Sequence, residues 1–373
     1  MNRVGHLFDG SADWQQRVTV SHILDRLPRD RYGSFVATIA GDATQELLGL
    51  GAPVEVLPAP CGLSLLAAPS ISRFAARKRI HLMHAWGVPA ATAAGALHGI
   101  PLIVHLFDPL TAHRHAKYLR TLTRPSGFAI ACSCETVRRR LVEGGVPMEV
   151  TVVIRPGVDF ALINRIQRSN LREQLGVTAR ARLIIFSEPV SRAGGQFEAV
   201  LAAAVGSQLT GDTRVVLPGQ TRERRRIERF VDALLAKDTT IVPAGRIPYE
   251  HLVAVADVLL ITPRGDTSTT SIAWAMAAGT AVVGTAVYSV AELIAHRVNG
   301  LLYKQVRGQS MAASINGLLK DSAAQEKTVE VARGQAYDVF GLRRFIDQIA
   351  RLYDNVLGGQ PPQEGIVDSS IDQ

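Results

Sequence analysis

The sequence predicts an α/β chain of two doubly wound domains, each a parallel sheet with helices on both faces. Three observations carry this expectation. The first is the stretch Val253 to Tyr303, whose centre reads ADVLLITPRGDTSTTSIAWAMAAGTAVVG. In it a continuous apolar run (Val258 to Thr262), a hydroxyl-rich loop (Arg264 to Ser271), an apolar helix (Ile272 to Ala278), Gly279 and a second apolar run (Ala281 to Gly284) make a β-α-β unit. Short apolar runs without polar alternation belong to strands covered on both faces. The second observation is that similar runs alternate with helical segments along the chain. The third is length: 373 residues exceed one ordinary core, so two domains and a tail are expected.

Composition narrows the class. A hydrophobic content of 47% with 20% charge describes a globular protein and excludes wholesale disorder. Met1 to Gly10 lacks a charged start followed by a long apolar core, so no signal peptide is expected. The uncharged run Thr267 to Ala291 is long enough to mimic a membrane span, but Gly279, Gly284 and its many hydroxyls mark it as buried core. Cys61, Cys132 and Cys134 supply neither a disulfide framework nor four metal ligands, which fits a reducing cytoplasm. The net charge of +8 is spread over both halves. It implies general affinity for acidic partners or an anionic membrane face rather than a nucleic-acid surface.

In chain order, Arg3 to Phe8 is the first strand, and Asp9-Gly10 turns it into a helix from about Asp13 to Leu27 that Ser11 or Asp13 caps. Ser34 to Ile39, Glu46 to Leu50, Val54 to Leu57, a helix over Ile71 to Lys78 and a strand over His81 to His84 follow. Arg73, Arg77, Lys78 and Arg79 offer peripheral contact with an anionic membrane at about 1 kcal/mol per charge; a solvated helix face is the preferred reading. Pro101 to Asp108 is a buried strand on which His105 and Phe107 share a face. His113 and His115 hint at a metal, but no carboxylate or Cys completes the set. Phe128 to Glu135 ends the next strand, with Cys132 and Cys134 as small buried thiols. Asn170 with Glu173 reads as a capping box for a helix Leu171 to Leu175. Strands over Leu183 to Phe186, Val215 to Gly219 and Ile241 to Arg246 lead to the opening stretch, with an Arg-rich, ion-paired helix over Arg222 to Leu235 among them. Helices over Gly308 to Lys320, Ser322 to Gln335 and Leu342 to Leu357 end in a disordered tail, 358–373.

These residues resemble the GT-B glycosyltransferases of the glycosyl group-one (family four) kind, which use nucleotide-sugars. That family has Pro-Ser after a strand, then Glu, and seven residues later Glu-Ala-Met-Ala-x-Gly-x-Pro-Val. Here the frame holds Pro263-Arg264, Asp266, and Trp274-Ala275-Met276-Ala277-Ala278-Gly279-Thr280-Ala281-Val282. Thr151 to Asp159 (TVVIRPGVD) is similar to the family's Val-Ile-Pro-Asn-Gly-Val-Asp, and Pro248-Tyr249-Glu250 to its Tyr-Glu-Glu. The resemblance covers about residues 1 to 357. It implies two Rossmann-like domains, 1–160 and 161–341, a cleft between them, and a C-terminal crossover helix, 342–357, returning to the first.

It also implies a site. Thr267, Ser268, Thr269 and Thr270 would present hydroxyls and N–H groups to a donor diphosphate, and Asp266 would hold the sugar. Gly10 and Gly219 are the turns facing the donor, and Asp108 and His105 the catalytic candidates at the end of their strand. Five positions depart from the family: Phe107 for His, Glu188 for Arg, Ala193 for Lys, Asp266 for Glu and Trp274 for Glu. A cation about 4 Å from a phosphate contributes roughly 4 kcal/mol at an effective dielectric of 20. Glu188 in its place therefore reshapes the donor site, and Arg192, one position before the lost Lys, is a partial substitute. Trp274 either stacks on base or sugar or fills the vacated pocket.

Two functions follow. One is a retaining hexosyltransferase with an altered donor site, cytoplasmic or peripheral at the inner membrane face, moving sugar from a nucleotide-sugar to a polysaccharide, lipid-linked or small acceptor with no cofactor, metal or nucleic acid. The other is a catalytically silent relative that binds carbohydrate or scaffolds a partner.

Overall fold

The computed structural model describes the chain apart from residues 11, 40–46, 48–49, 60–63, 98, 188–196, 198–199, 202–211, 218–223, 242–246, 305–321 and 364–373. Outside the described residues lie most of the Glu46 to Leu50 element, the helix expected at Gly308 to Lys320, and most of the tail. The chain divides into two compact units, Met1–Gly157 with Leu342–Gln373, and Val158–Gly341.

In the first unit β1 (Asn2–Phe8), β2 (Tyr32–Ile39), β3 (Val54–Leu57), β4 (Leu82–Trp86), β5 (Leu102–Leu106), β6 (Phe128–Cys132) and β7 (Thr151–Val153) form one sheet in the order β3-β2-β1-β4-β5-β6-β7. Every pairing in it is parallel. The second unit holds β8 (Arg182–Phe186), β9 (Thr213–Val216), β10 (Thr240–Ile241), β11 (Val258–Ile261), β12 (Ala281–Thr285) and β13 (Leu301–Tyr303), ordered β10-β9-β8-β11-β12-β13 and again all parallel. The α/β expectation holds in both units. Parallel pairing needs a crossover after each strand, and the order reverses beside the first strand of each sheet, as doubly wound folds do.

Local chemistry sets the first helix. Trp14–Arg26 begins at Asp13, whose side chain accepts from Gln16 N at 2.9 Å while Gln16 Oε1 accepts from Asp13 N at 3.3 Å. Two N–H groups at the helix entry are thereby satisfied. The box expected at Asn170 does not form. That helix runs from Arg168 to Gln174, Gln167 caps it without a side-chain bond, and Asn170 Nδ2 donates to Gln167 Oε1 at 2.6 Å. Tertiary contacts set its start, because Arg168 donates to Ala278 O at 2.8 Å and Arg172 to Val255 O at 3.1 Å. Helices Val88–Gly95 and Pro109–Leu122 are further elements, packed so closely that a Cβ on Gly95 would lie 2.7 Å from Leu122. The basic helix Ala68–Lys78 buries Ile71 and Phe74, pairs Arg77 with Glu55, and holds Lys78 over the Phe35 ring.

The last helix, Leu342–Leu357, belongs to the first unit and buries Phe345, Ile349, Leu352, Tyr353 and Val356 there. Each such side chain contributes about 1.5–3 kcal/mol by leaving water. Its polar seam is unusual. Tyr353 Oη lies 2.8 Å from His84 Nδ1, whose Nε2 lies 3.3 Å from His105 Nδ1. Tyr32 donates to Ala350 O at 3.1 Å and also bonds Asp354, which Arg31 pairs. His6, His84, Trp86, His105 and Phe107 line up along one sheet face with neighbouring centroids 4.3–6.3 Å apart. Both His6 ring nitrogens lack a hydrogen-bond partner among the described residues.

Burial pushes His6 and His105 down to about 3 and holds His84 well below its ordinary value, with His105 and His6 adding to the last. All three are neutral in the fold and gain a proton near 6.5 on unfolding. Their contribution is complete above about pH 6.5 and is lost as pH falls towards 3, at about 1.4 kcal/mol per pH unit for each histidine. Urea unfolding across this window should show that acid loss. His6→Leu should reduce the slope by about one histidine's share without loss of stability at pH 7, since an unpartnered polar ring is removed.

Candidate active site

The site of the second unit forms where β11 ends. Parallel pairing of β11 with β12, Ile261 beside Gly284, brings the ends of both strands to one edge of the sheet. The chain leaving β11 makes the hydroxyl-rich loop and enters helix Thr270–Ala278. That helix is buried at all nine of its positions, the form of a helix packed on every side. It starts two residues earlier than its apolar run suggested, and Gly279 ends it at φ 73°, a conformation that costs glycine little.

Asp266 is only 5% exposed, and its Oδ1 accepts from Ser289 N at 3.1 Å. Thr267 N donates to Ser289 Oγ at 2.9 Å. Ser268 Oγ accepts from Thr270 N at 3.3 Å and lies 3.2 Å from Thr270 Oγ1. Ser268 thus serves the helix entry while Thr269, the N-cap, makes no side-chain cap bond. The Thr269 hydroxyl is buried, 1% exposed, and has no hydrogen-bond partner among the described residues. The arrangement therefore joins a carboxylate, an unpartnered buried hydroxyl and the start of a nine-residue helix, whose first N–H groups lack intrahelical acceptors. That combination suits an anion beside a polyhydroxyl group.

The other expected residues fare differently. Ser268 and Thr270 lie in the loop as expected, but their hydroxyls bond each other. Trp274 is 0% exposed, which leaves no ring face to stack on a base or sugar and makes it a core side chain. Arg192 and Gly219, with Glu188 and Ala193, lie outside the described residues. In the first unit His105 is 1% exposed and bonded to His84, so its ring lies inside the sheet face rather than at the strand's end. Strand alternation places it beside Phe107 as expected, but the packed rings of the neighbouring strands close over both. Asp108 is half-buried and caps helix Pro109–Leu122, accepting from Leu110 N at 3.2 Å, Thr111 N at 3.1 Å and Thr111 Oγ1 at 2.6 Å. Gly10 takes φ 89° between β1 and its helix. Ser289 has no motif around it; a signal for it was available only in its place just beyond the neighbouring strand.

Comparison with known proteins gives these positions a context. A family model described as Glycosyl transferases group 1 matches residues 167–335, and one described as Glycosyltransferase Family 4 matches residues 16–162. N-acetyl-alpha-D-glucosaminyl L-malate synthase of Bacillus anthracis is 26% identical over 146 residues. The match spans 39% of this chain and 38% of that protein, well under half of either. Among solved structures, Anabaena Alr3699/HepE in complex with UDP and glucose aligns with a TM-score of 0.80 at 22% identity, over 95% of this chain and 100% of that one. WaaG, a glycosyltransferase involved in lipopolysaccharide biosynthesis, aligns with a TM-score of 0.71 at 16% identity, over 95% and 100%. At such identities these two likenesses concern the fold.

Because Trp274 fills core volume, Trp274→Ala should destabilise the protein by about 3–5 kcal/mol, measured by urea unfolding. Trp274→Phe should cost less and leave affinity for nucleoside diphosphates within twofold. A large affinity loss in the folded Phe variant would return the indole to the binding site.

Proposed function

We propose, from the match of a Glycosyl transferases group 1 model to residues 167–335 and of a Glycosyltransferase Family 4 model to residues 16–162 on a GT-B fold, that this chain is a glycosyltransferase that moves a hexosyl group from a nucleotide-sugar, with retention, to a polysaccharide, lipid-linked or small acceptor. The observation that carries the proposal is the buried carboxylate of Asp266, held at the strand edge beside the entry of helix Thr270–Ala278. A nucleotide-sugar is a diphosphate joined to a polyhydroxyl ring, and this loop offers groups for both parts. N–H groups at the helix entry suit the diphosphate, which gains charge as the glycosidic bond breaks. Asp266 suits a sugar hydroxyl, a hydrogen bond to a charged acceptor of about 1.5–3 kcal/mol.

In this proposal the donor site is altered relative to the family. Glu188 and Ala193 replace its diphosphate cations, so the backbone of the loop takes a larger share of the leaving group, assisted by Arg192. Asp266 is one methylene shorter than the family's Glu, which moves the carboxylate back by about a bond length. Trp274 replaces the family's ribose-binding Glu and leaves that hydroxyl pair to other groups. HepE's complexes with UDP-glucose and UDP make a uridine donor the first to try.

Calorimetric titration with UDP-, GDP- and ADP-glucose, each beside its nucleoside diphosphate, tests this proposal. One nucleotide-sugar should bind in the micromolar range, and Asp266→Ala should lower kcat/KM for it by about 10–100-fold, the equivalent of that hydrogen bond. Silence of the wild-type protein towards every such donor, with no sugar transfer, would overturn the proposal in favour of a silent carbohydrate-binding relative.

A further inference from the structure

We infer that Ser289 is a positioning residue for donor-sugar recognition, acting through Asp266; the inference rests on the donor-site reading above. Ser289 lies on a different strand connection from the loop it serves, yet contacts two successive residues of that loop by two different groups. Its backbone N–H donates to Asp266 Oδ1 at 3.1 Å, and its hydroxyl oxygen accepts from Thr267 N at 2.9 Å. Ser289 itself is 0% exposed, so both bonds form where water does not compete. A carboxylate has about four lone-pair positions on its two oxygens. Ser289 N–H takes one of them, and the Ser289 hydroxyl holds the N–H of the next residue, so the two bonds together hold the segment that presents the carboxylate.

The neighbouring sequence holds Ser289 in place. Val290 is fully buried, and its Cγ1 would lie 2.9 Å from a Cβ added to Gly284 of β12. The missing side chain at Gly284 therefore lets the Tyr288–Ala291 turn come down onto the strand. Val290 N donates to Val287 O at 3.1 Å and Ala291 N to Val287 O at 2.9 Å, which fixes the turn that carries Ser289. With Ser289 anchored, the Asp266–Thr267 segment is tied to β12 as well as to its own strand. The carboxylate is then pre-set before any sugar arrives, and less ordering entropy is lost on binding.

A positioning role differs from a structural one in what it spares. Nucleotide-sugar and nucleoside diphosphate share every group except the sugar, so the ratio of their affinities isolates the sugar's contribution. The experiment uses the full chain and calorimetry with UDP-, GDP- and ADP-glucose beside UDP, GDP and ADP, for wild type and Ser289→Ala. Ser289→Ala keeps the backbone N–H bond to Asp266 and removes the hydroxyl that holds Thr267 N, which releases the segment carrying the carboxylate; the expected result is an affinity about tenfold lower for the favoured nucleotide-sugar, with its diphosphate within twofold. Sugar selectivity of the wild type kept intact in Ser289→Ala would overturn the inference, as would equal loss for both ligands together with a lower Tm. If Ser289→Ala does not fold, Ser289→Cys, nearly isosteric but a weak acceptor, makes the same comparison. A wild-type protein that binds no nucleotide-sugar overturns the donor-site reading and this inference with it, an outcome visible before any variant is made.

Discussion

Parallel pairing in the second sheet is the constraint on which the candidate site depends. Because β11 and β12 run the same way in direct register, Val258 beside Ala281 through Ile261 beside Gly284, their chains leave the sheet at one edge. The loop after one strand and the turn after the other must then meet. Everything else at this edge follows: Ser289 reaches Asp266 and Thr267, Gly284 admits Val290, and helix Thr270–Ala278 starts beside the carboxylate. An antiparallel partner would have sent its connection to the opposite edge and left Asp266 without this support.

The first unit meets a different demand. A helix from the far end of the chain packs against its sheet, and that helix is met by side chains already present on the strands. The Tyr353–His84–His105 line and the Tyr32–Asp354–Arg31 group do this with hydrogen bonds, around an apolar seam of Phe345, Ile349 and Leu352. Gly157 is part of the same fit, since a Cβ there would lie 2.7 Å from Phe345. Burial keeps the imidazoles neutral, so the seam is strongest at neutral pH. The polar atoms add direction to a contact that the apolar residues make strong.

Departures from the family pattern divide by environment. Trp274, where the resembled family has Glu, is fully buried on a helix packed all round and fills core volume. Asp266 remains a carboxylate, one methylene shorter than the Glu of the resembled family, and accepts from Ser289 N–H.

What the sequence determined by itself is what short windows contain. The β-α-β order of Val253 to Tyr303, the Gly279 stop and the Asp13 cap were legible, because apolar runs, a positive-φ position and a capping box each act within a few residues. What only the tertiary structure decided is which distant groups meet. His105 on its strand is compatible with a substrate or a core; the rings of β1 and β4 and a tyrosine 269 residues beyond His84 settle it as core. Asn170 with Glu173 has the letters of a capping box, but Arg168 and Arg172 find carbonyl partners on other elements and start the helix sooner. Ser289 carries no local signature at all. Its partner is chosen by strand order, and strand order is a property of the whole sheet that no window of sequence contains.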